Sequence, residues 1–296
     1  MNDNNDVSPG GHTALMNRIE DDIPPSVALA LRENLGAVTP PVQDLSASLI
    51  PDQAHGHAII ISHEPGIFCG KRWVEEIFIQ LGNQTELRWH ITDGEPIVVD
   101  TPLLDIFGPA AQILTAERAL LGFIRTLSGV ATEVRNYSKI LVGTHAQLAD
   151  IRQSVPGLLS AFKYAVLCGG GTHHNPGLSD VFLIKKNHIL AIGSLKKALE
   201  QASWLNPDIP IEVEVEDLTE LSQALEAGVG RVRLNNFTLN EMQQAVTLNN
   251  QRAQLEASGD IDSTMLRDIA ETGIDFISLA AISQNIKILN LTLRFQ

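Results

Sequence analysis

The sequence predicts an α/β protein whose second half is a barrel of parallel strands. The first observation is a pattern that recurs six times after residue 145: a short apolar strand, a polar or glycine-rich tip, then a helical stretch. The strands fall at 146–150, 180–185, 211–215, 231–235, 253–257 and 275–279. Strands that alternate with helices pair in parallel through right-handed crossovers. The second is that no antiparallel interruption breaks the six units, which argues for closure rather than an open sheet. The third is composition: 44% hydrophobic residues with only 5% aromatics suit an Ala/Leu/Ile/Val core between layers. In such barrels the chemistry sits where strands end and helices begin. Those tips carry Arg152, Lys185, Glu214, Asn235, Ser258-Gly259 and Ala280.

The elements follow in order. Residues 1–22 are rich in Asn, Asp, Gly and Ser and read as a mobile extension. Ser26 is placed to cap a helix over 27–35, with Gly36 to end it. The Ile-rich run 57–62 reads as a strand, and Pro65-Gly66 as the turn after it. Residues 71–81 space their apolar side chains for a helix with one buried face. Two strands, 87–91 and 97–99, flank an Asp93-Gly94 turn, so the first half reads as a mixed α+β region. A long helical pattern spans 113–141, with Gly122 and Gly129 as bends or close-packing points. Thr115 and Arg118 share one of its faces.

The 296 residues carry a net charge of −14, from 21 basic and 35 acidic side chains. That balance disfavours nucleic acid and anionic membranes, which need basic surface. Cys69 and Cys168 are too few for a disulfide framework. The polar, acidic first residues do not read as a signal peptide, and no apolar run is long enough to span a bilayer. A cytoplasmic, soluble protein is expected.

Residues 211–216 alternate strictly, with Glu212, Glu214 and Glu216 on one face and Ile211, Val213 and Val215 on the other. Helices cover the outside of a barrel, so the carboxylates are expected in the lumen; the plainer alternative is an edge strand with a solvated acidic face. Lumen carboxylates near a strand tip suit Mg²⁺ with substrate phosphates. Arg231, Arg233 and Asn235 share a face by the same parity. A salt-bridge network with the preceding strand's glutamates and a ligand role both fit them. Cys168-Gly169-Gly170-Gly171-Thr172-His173-His174 lets backbone N–H groups approach an anion. Cys168, His173, His174 and His188 match no zinc template, and a substrate-contacting histidine is the better reading. Ser258-Gly259-Asp260 precedes a helix expected at Ile261, either as a phosphate-binding tip or simply with Asp260 as its cap. Leu279-Ala280-Ala281, taken alone, reads as packing.

Together these residues resemble the quinolinate phosphoribosyltransferases, the carboxylating nicotinate-nucleotide pyrophosphorylases of NAD synthesis. The resemblance runs from about residue 22 to the C-terminus; its most specific stretches are 68–80, 115–130, 163–188, 210–216 and 270–278. It implies an N-terminal α/β sandwich domain over 23–121, to which 289–296 returns, and an incomplete α/β barrel over 122–288. It also implies a homodimer with sites between one subunit's barrel and its partner's N-terminal domain. The family joins quinolinate to phosphoribosyl pyrophosphate with Mg²⁺, releasing pyrophosphate and CO₂ and giving nicotinate mononucleotide.

By the same resemblance Arg118 is donated across the dimer, and Arg152, His174 and Lys185 hold the dianionic acid. Glu214 serves the ribose and metal side, and Ser258-Gly259 forms a phosphate loop. Lys185, Glu214 and the position of Asn235 make up the catalytic set. Several positions depart from the pattern. Gln153 stands where a lysine is usual, Asn175 and Leu159 where arginines are, and Asn235 where an aspartate is. Leu279-Ala280-Ala281 replaces Val-Gly-Ala in the second phosphate loop, and Asn34 replaces an aspartate near the N-terminus. Arg231 and Arg233 replace apolar residues and return two cations to the strand. Two readings follow: a working enzyme with an altered site, or a paralogue that keeps fold and dimer, has lost turnover, and binds a ligand or protein partner. A third, an enzyme for a different acid and donor, has no positive marker.

Overall fold

The computed structural model describes residues 11–36, 44–149, 154–172 and 179–296. In chain order the elements are α1 (Gly11–Leu35), β1 (His55–Ser62), β2 (Gly66–Ile67), α2 (Lys71–Gln80), β3 (Glu86–Trp89), β4 (Pro96–Ile97), β5 (Pro102–Pro109) and α3 (Ala110–Ile140). Then come β6 (Gln147–Leu148), α4 (Leu159–Gly169), β7 (Phe182–Ile184), α5 (Lys186–Ile192), α6 (Leu195–Leu205), β8 (Ile211–Val215) and α7 (Leu218–Glu226). The chain finishes with β9 (Arg231–Asn235), α8 (Leu239–Asn249), β10 (Gln254–Ser258), α9 (Leu266–Glu271), β11 (Phe276–Ile277), α10 (Ala281–Gln284) and β12 (Leu291–Phe295). They fall into two units, one of residues 13–135, 152–170 and 285–296, the other chiefly of 136–151 and 171–284.

The first unit is built on an antiparallel sheet in the order β12-β1-β5-β3. Its core takes Ile60, Leu104 and Ile106 from the sheet and Ile77 and Trp73 from α2. Three expectations fail here. The first helix begins at Gly11, not Val27, and so takes in much of the expected mobile extension. Leu15, Ile19, Ile23, Val27 and Leu31 are buried at four-residue spacing, and that stripe carries the helix through Pro24-Pro25. Ser26 is therefore inside the helix, its hydroxyl donating to the Ile23 carbonyl, and caps nothing. Second, β5 forms where the sequence pattern predicts no strand, because adjacent apolar Leu103-Leu104 and flanking prolines hide its alternation. Third, β3 pairs with β5 and β4 with β2, so the Asp93-Gly94 turn joins no hairpin. Asp93 instead accepts the N–H groups of Gly70 and Lys71 at the start of α2, and the Tyr164 hydroxyl. Burial and that carboxylate push the Tyr164 phenol far above its usual range.

The two glycines of α3 differ. A Cβ on Gly129 would lie 2.0 Å from the Lys287 carbonyl oxygen, whereas one on Gly122 would meet nothing within 4 Å.

The second unit is a parallel sheet in the order β6-β11-β10-β9-β8-β7. Consecutive strands β7 to β11 are neighbours and β6 lies beside β11, the circular order of an α/β barrel. Among the described residues β6 and β7 remain edges, with only an isolated parallel bridge from Ala149 to Thr172 near the gap. The barrel is incomplete: its order is that of closure, its hydrogen bonding is not. Asp217 caps α7 by accepting from Thr219 and Glu220, and Thr238 and Glu241 form a capping box on α8. Such caps set where each strand-to-helix tip ends. No described helix is long and apolar enough to cross a membrane.

Candidate active site

The expected site residues on β7 to β11 sit at the C-terminal ends of the strands, and register decides how they align. Ile184 pairs with Val213, which puts Lys185 level with Glu214. Glu214 pairs with Arg233, and Arg233 with Glu256. One row across four neighbouring strands thus reads Lys185, Glu214, Arg233, Glu256. The row above it pairs Asn235 with Ser258. On the opposite face of the same strands Val213, Val215, Val232 and Leu234 are fully buried. Period-two alternation therefore separates an apolar face from a charged one, as the lumen reading expected for Glu212 and Glu214. Glu216 lies past the strand end, exposed and 2.8 Å from Lys186.

Ion pairs knit the charged face together. Arg231 donates from Nε and Nη2 to Glu256 Oε2, at 3.1 and 2.7 Å, and its guanidinium lies 4.1 Å from the Phe276 ring centroid. Glu256 is fully buried, and its other oxygen accepts the Ser278 hydroxyl. Arg233 reaches Glu214 Oε2 and Glu256 Oε1 at 3.4 Å each. The expected pairing with the preceding strand holds for Arg233. Arg231 bonds Glu256 on the following strand through Nε and Nη2. Glu256 and Ser278 join the site beyond the residues that the sequence pattern marks. The signal was present, since Gln254, Glu256 and Ser258 share a parity.

The phosphate-loop candidate is built differently from the expectation. No helix starts at Ile261; Asp262 caps a short 3-10 turn at Thr264, and α9 begins only at Leu266. The Ser258 hydroxyl is buried and donates to the Leu234 carbonyl. Asn236 Oδ1 accepts the Asp260 N–H, and the Asn236 N–H donates to the Ser258 carbonyl. These bonds tie the tips after β9 and β10 into one unit. Gly259, at φ +114°, passes so close that a Cβ would lie 2.0 Å from Asn236 Oδ1. Leu279 is buried, as the packing reading expected, and Ala280 is exposed before the single turn of α10.

Lys185 stands at the head of α5, its N–H donating to His188 Nδ1. Arg118 lies in the first unit, exposed on α3. Arg152, Gln153, His174 and Asn175 lie outside the described residues.

The comparisons with known proteins bear directly on this arrangement. The family model described as "Quinolinate phosphoribosyl transferase, C-terminal domain" matches residues 130–294, and that of the N-terminal domain matches 44–128. The chain belongs to the quinolinate phosphoribosyltransferase family. It is 34% identical over 241 residues to the carboxylating nicotinate-nucleotide pyrophosphorylase of Mycobacterium leprae, covering 79% of this chain and 84% of that one. A probable enzyme of the same name from Bacillus subtilis is 33% identical over 254 residues, covering 84% and 87%. The solved nicotinate-nucleotide pyrophosphorylase of Francisella tularensis superposes with a TM-score of 0.87 at 37% identity, covering 93% and 96%. Members of this family are pentosyltransferases, and the incomplete barrel and antiparallel sheet found here are their architecture.

The described residues do not by themselves make a resident Mg²⁺ site. No three His, Cys, Asp or Glu side chains among them converge. Glu214 is a single carboxylate already facing a guanidinium, and Asn235 adds no charge. Mg²⁺ takes one or two carboxylates plus substrate phosphates, and Glu214 is one such carboxylate.

Proposed function

We propose that this protein is itself a carboxylating nicotinate-nucleotide pyrophosphorylase. It joins quinolinate to phosphoribosyl pyrophosphate and gives nicotinate mononucleotide, pyrophosphate and CO₂. The observation that carries this reading is the alignment of Lys185, Glu214, Asn235 and the Gly259 turn at one end of the parallel sheet. The pyridine nitrogen of quinolinate attacks C1′ of the ribose. The N–C1′ bond forms as the C1′–O bond breaks, and pyrophosphate leaves with the electron pair. The bond from ring C2 to its carboxylate then breaks, CO₂ departs, and the ring carbon takes a proton from solvent.

Each residue has a task in this scheme. Lys185 contributes a charge-assisted contact to the dianionic acid. Glu214 faces the positive charge that develops on the ribose as the leaving group departs. Asn235 hydrogen-bonds the ribose without adding charge, and Gly259 lets the backbone approach a phosphate. Arg118 reaches the acid from the second subunit of a homodimer, and Arg152, Gln153, His174 and Asn175 complete its pocket. Glu214 would face a Mg²⁺ ion brought in with the donor, and the ion would offset charge on the pyrophosphate. The work is done in the cytoplasm.

The test is formation of nicotinate mononucleotide from quinolinate and phosphoribosyl pyrophosphate in Mg²⁺ buffer. Product is expected, and mixing Arg118→Ala with Lys185→Ala, each inactive alone, restores part of the activity. No product overturns the reading, and a thermal shift from either substrate at millimolar concentration without product leaves a binding protein in its place.

A further inference from the structure

The layer beneath Asn235 holds a cation that the reaction scheme leaves unused. We infer that Arg233 is a positioning residue: it fixes Glu214 and balances the lumen charge so that a polyanionic donor can enter. The inference rests on the activity proposed above and deepens it.

Four observations converge on Arg233. Its guanidinium stands between two carboxylates in register, 3.4 Å from each. The two carboxylates differ in freedom: Glu256 is fully buried, while the Glu214 side chain keeps 16% exposure. Glu256 is further held by both Arg231 donors and by Ser278, and Arg231 is braced on Phe276. The row is therefore anchored on β10 and β11, and its loose end is Glu214 on β8. Removing Arg233 frees only that loose end, the one that faces the ribose. Charge gives the fourth argument. Among the described residues of this face Glu212, Glu214 and Glu256 stand against Lys185, Arg231 and Arg233. Loss of Arg233 leaves this described set with one net negative charge, which works against a donor carrying three phosphate groups.

The two roles separate in kinetics. Arg233→Met is expected to raise the KM for phosphoribosyl pyrophosphate and to lower kcat, each by about tenfold or more. Breaking a buried pair also destabilises the fold, so Arg233→Met/Glu256→Gln is made beside it; the amide oxygen left at that position still accepts from Arg231, which keeps its place over the Phe276 ring. That double variant keeps the lumen balanced. Its donor KM is expected within about threefold of wild type, while kcat stays down by about tenfold, because nothing holds Glu214. Calorimetric titration with inorganic pyrophosphate and Mg²⁺ gives a readout without turnover: weakened in the single variant, recovered in the double. If kcat returns together with melting temperature in the double variant, Arg233 is merely structural and the inference falls. It falls equally if Arg233→Met leaves pyrophosphate affinity and kcat unchanged. A wild type that binds pyrophosphate but makes no product refutes the proposed activity, and the calorimetric comparison still decides the charge-balance role of Arg233.

Discussion

Two glycines in one helix should respond to the same substitution with opposite signs. Gly122 is exposed on α3 and a Cβ there meets nothing within 4 Å. Ala is a better helix former than Gly by about 0.8–1.0 kcal/mol, so Gly122→Ala should add roughly 0.5–1 kcal/mol of stability. Gly129 gains the same propensity but places its Cβ 2.0 Å from the Lys287 carbonyl oxygen and 3.0 Å from the carbonyl carbon. Those are backbone atoms, which cannot swing aside as a side chain can. The segment is also tied to α3 by two bonds, Leu289 N–H to the Arg125 carbonyl and Arg125 Nε to the Leu289 carbonyl. Overpacking of this kind costs about 1–3 kcal/mol, so the net change should be a loss of about 1–2 kcal/mol. For a chain of this size the two variants should melt about 2–5 °C apart, on opposite sides of wild type. The assay is thermal and urea unfolding of the three proteins under one buffer condition. A Gly129→Ala protein as stable as Gly122→Ala would refute the close approach.

Further outcomes follow from other contacts. Gly259→Ala should cost about 1–3 kcal/mol and raise the KM for phosphoribosyl pyrophosphate, since φ is +114° and the new Cβ collides with Asn236 Oδ1; unfolding curves and initial rates measure both. Asp105 accepts from His90 and His57, and the His90 bond, against burial and with help from His57, holds its carboxyl below the usual range. A depressed folded value means the stabilisation is present above about pH 4 and is lost as pH falls through that value. Urea unfolding should therefore separate wild type from Asp105→Asn at pH 6 and bring them together in strong acid; a gap that widens toward low pH would contradict the assignment.

The barrel half was legible because its signals are local. The expected strand 231–235 coincides with β9, and Asp217 and Thr238 mark where strand tips become helices. Strict alternation told which face Glu214 and Arg233 would take, since period two leaves no third choice. It did not tell that Arg231 would bond Glu256, because that partner lies on the next strand, 25 residues along the chain. The helix over Gly11–Leu35 was hidden by a conflict: two prolines argue locally for a break, and a five-residue apolar stripe overrides them through packing. The Ser258-Gly259 tip is legible in sequence but its build is not, because the Asn236 side chain, not a helix N-terminus, arranges its backbone.

The place of β12 has a consequence for the order of synthesis. β1 lies between β5, which follows it closely in the chain, and β12, which is made more than two hundred residues later. The β1–β5 pair thus emerges from the ribosome with one ladder of backbone donors and acceptors uncovered, along a run of three isoleucines. It keeps that open edge while the whole parallel sheet is being translated. Such an edge is a template for pairing with another chain. The nascent protein is therefore most exposed to aggregation just before residues 291–295 are released, and the barrel unit, whose strands are complete by Ile277, has finished its own sheet by then.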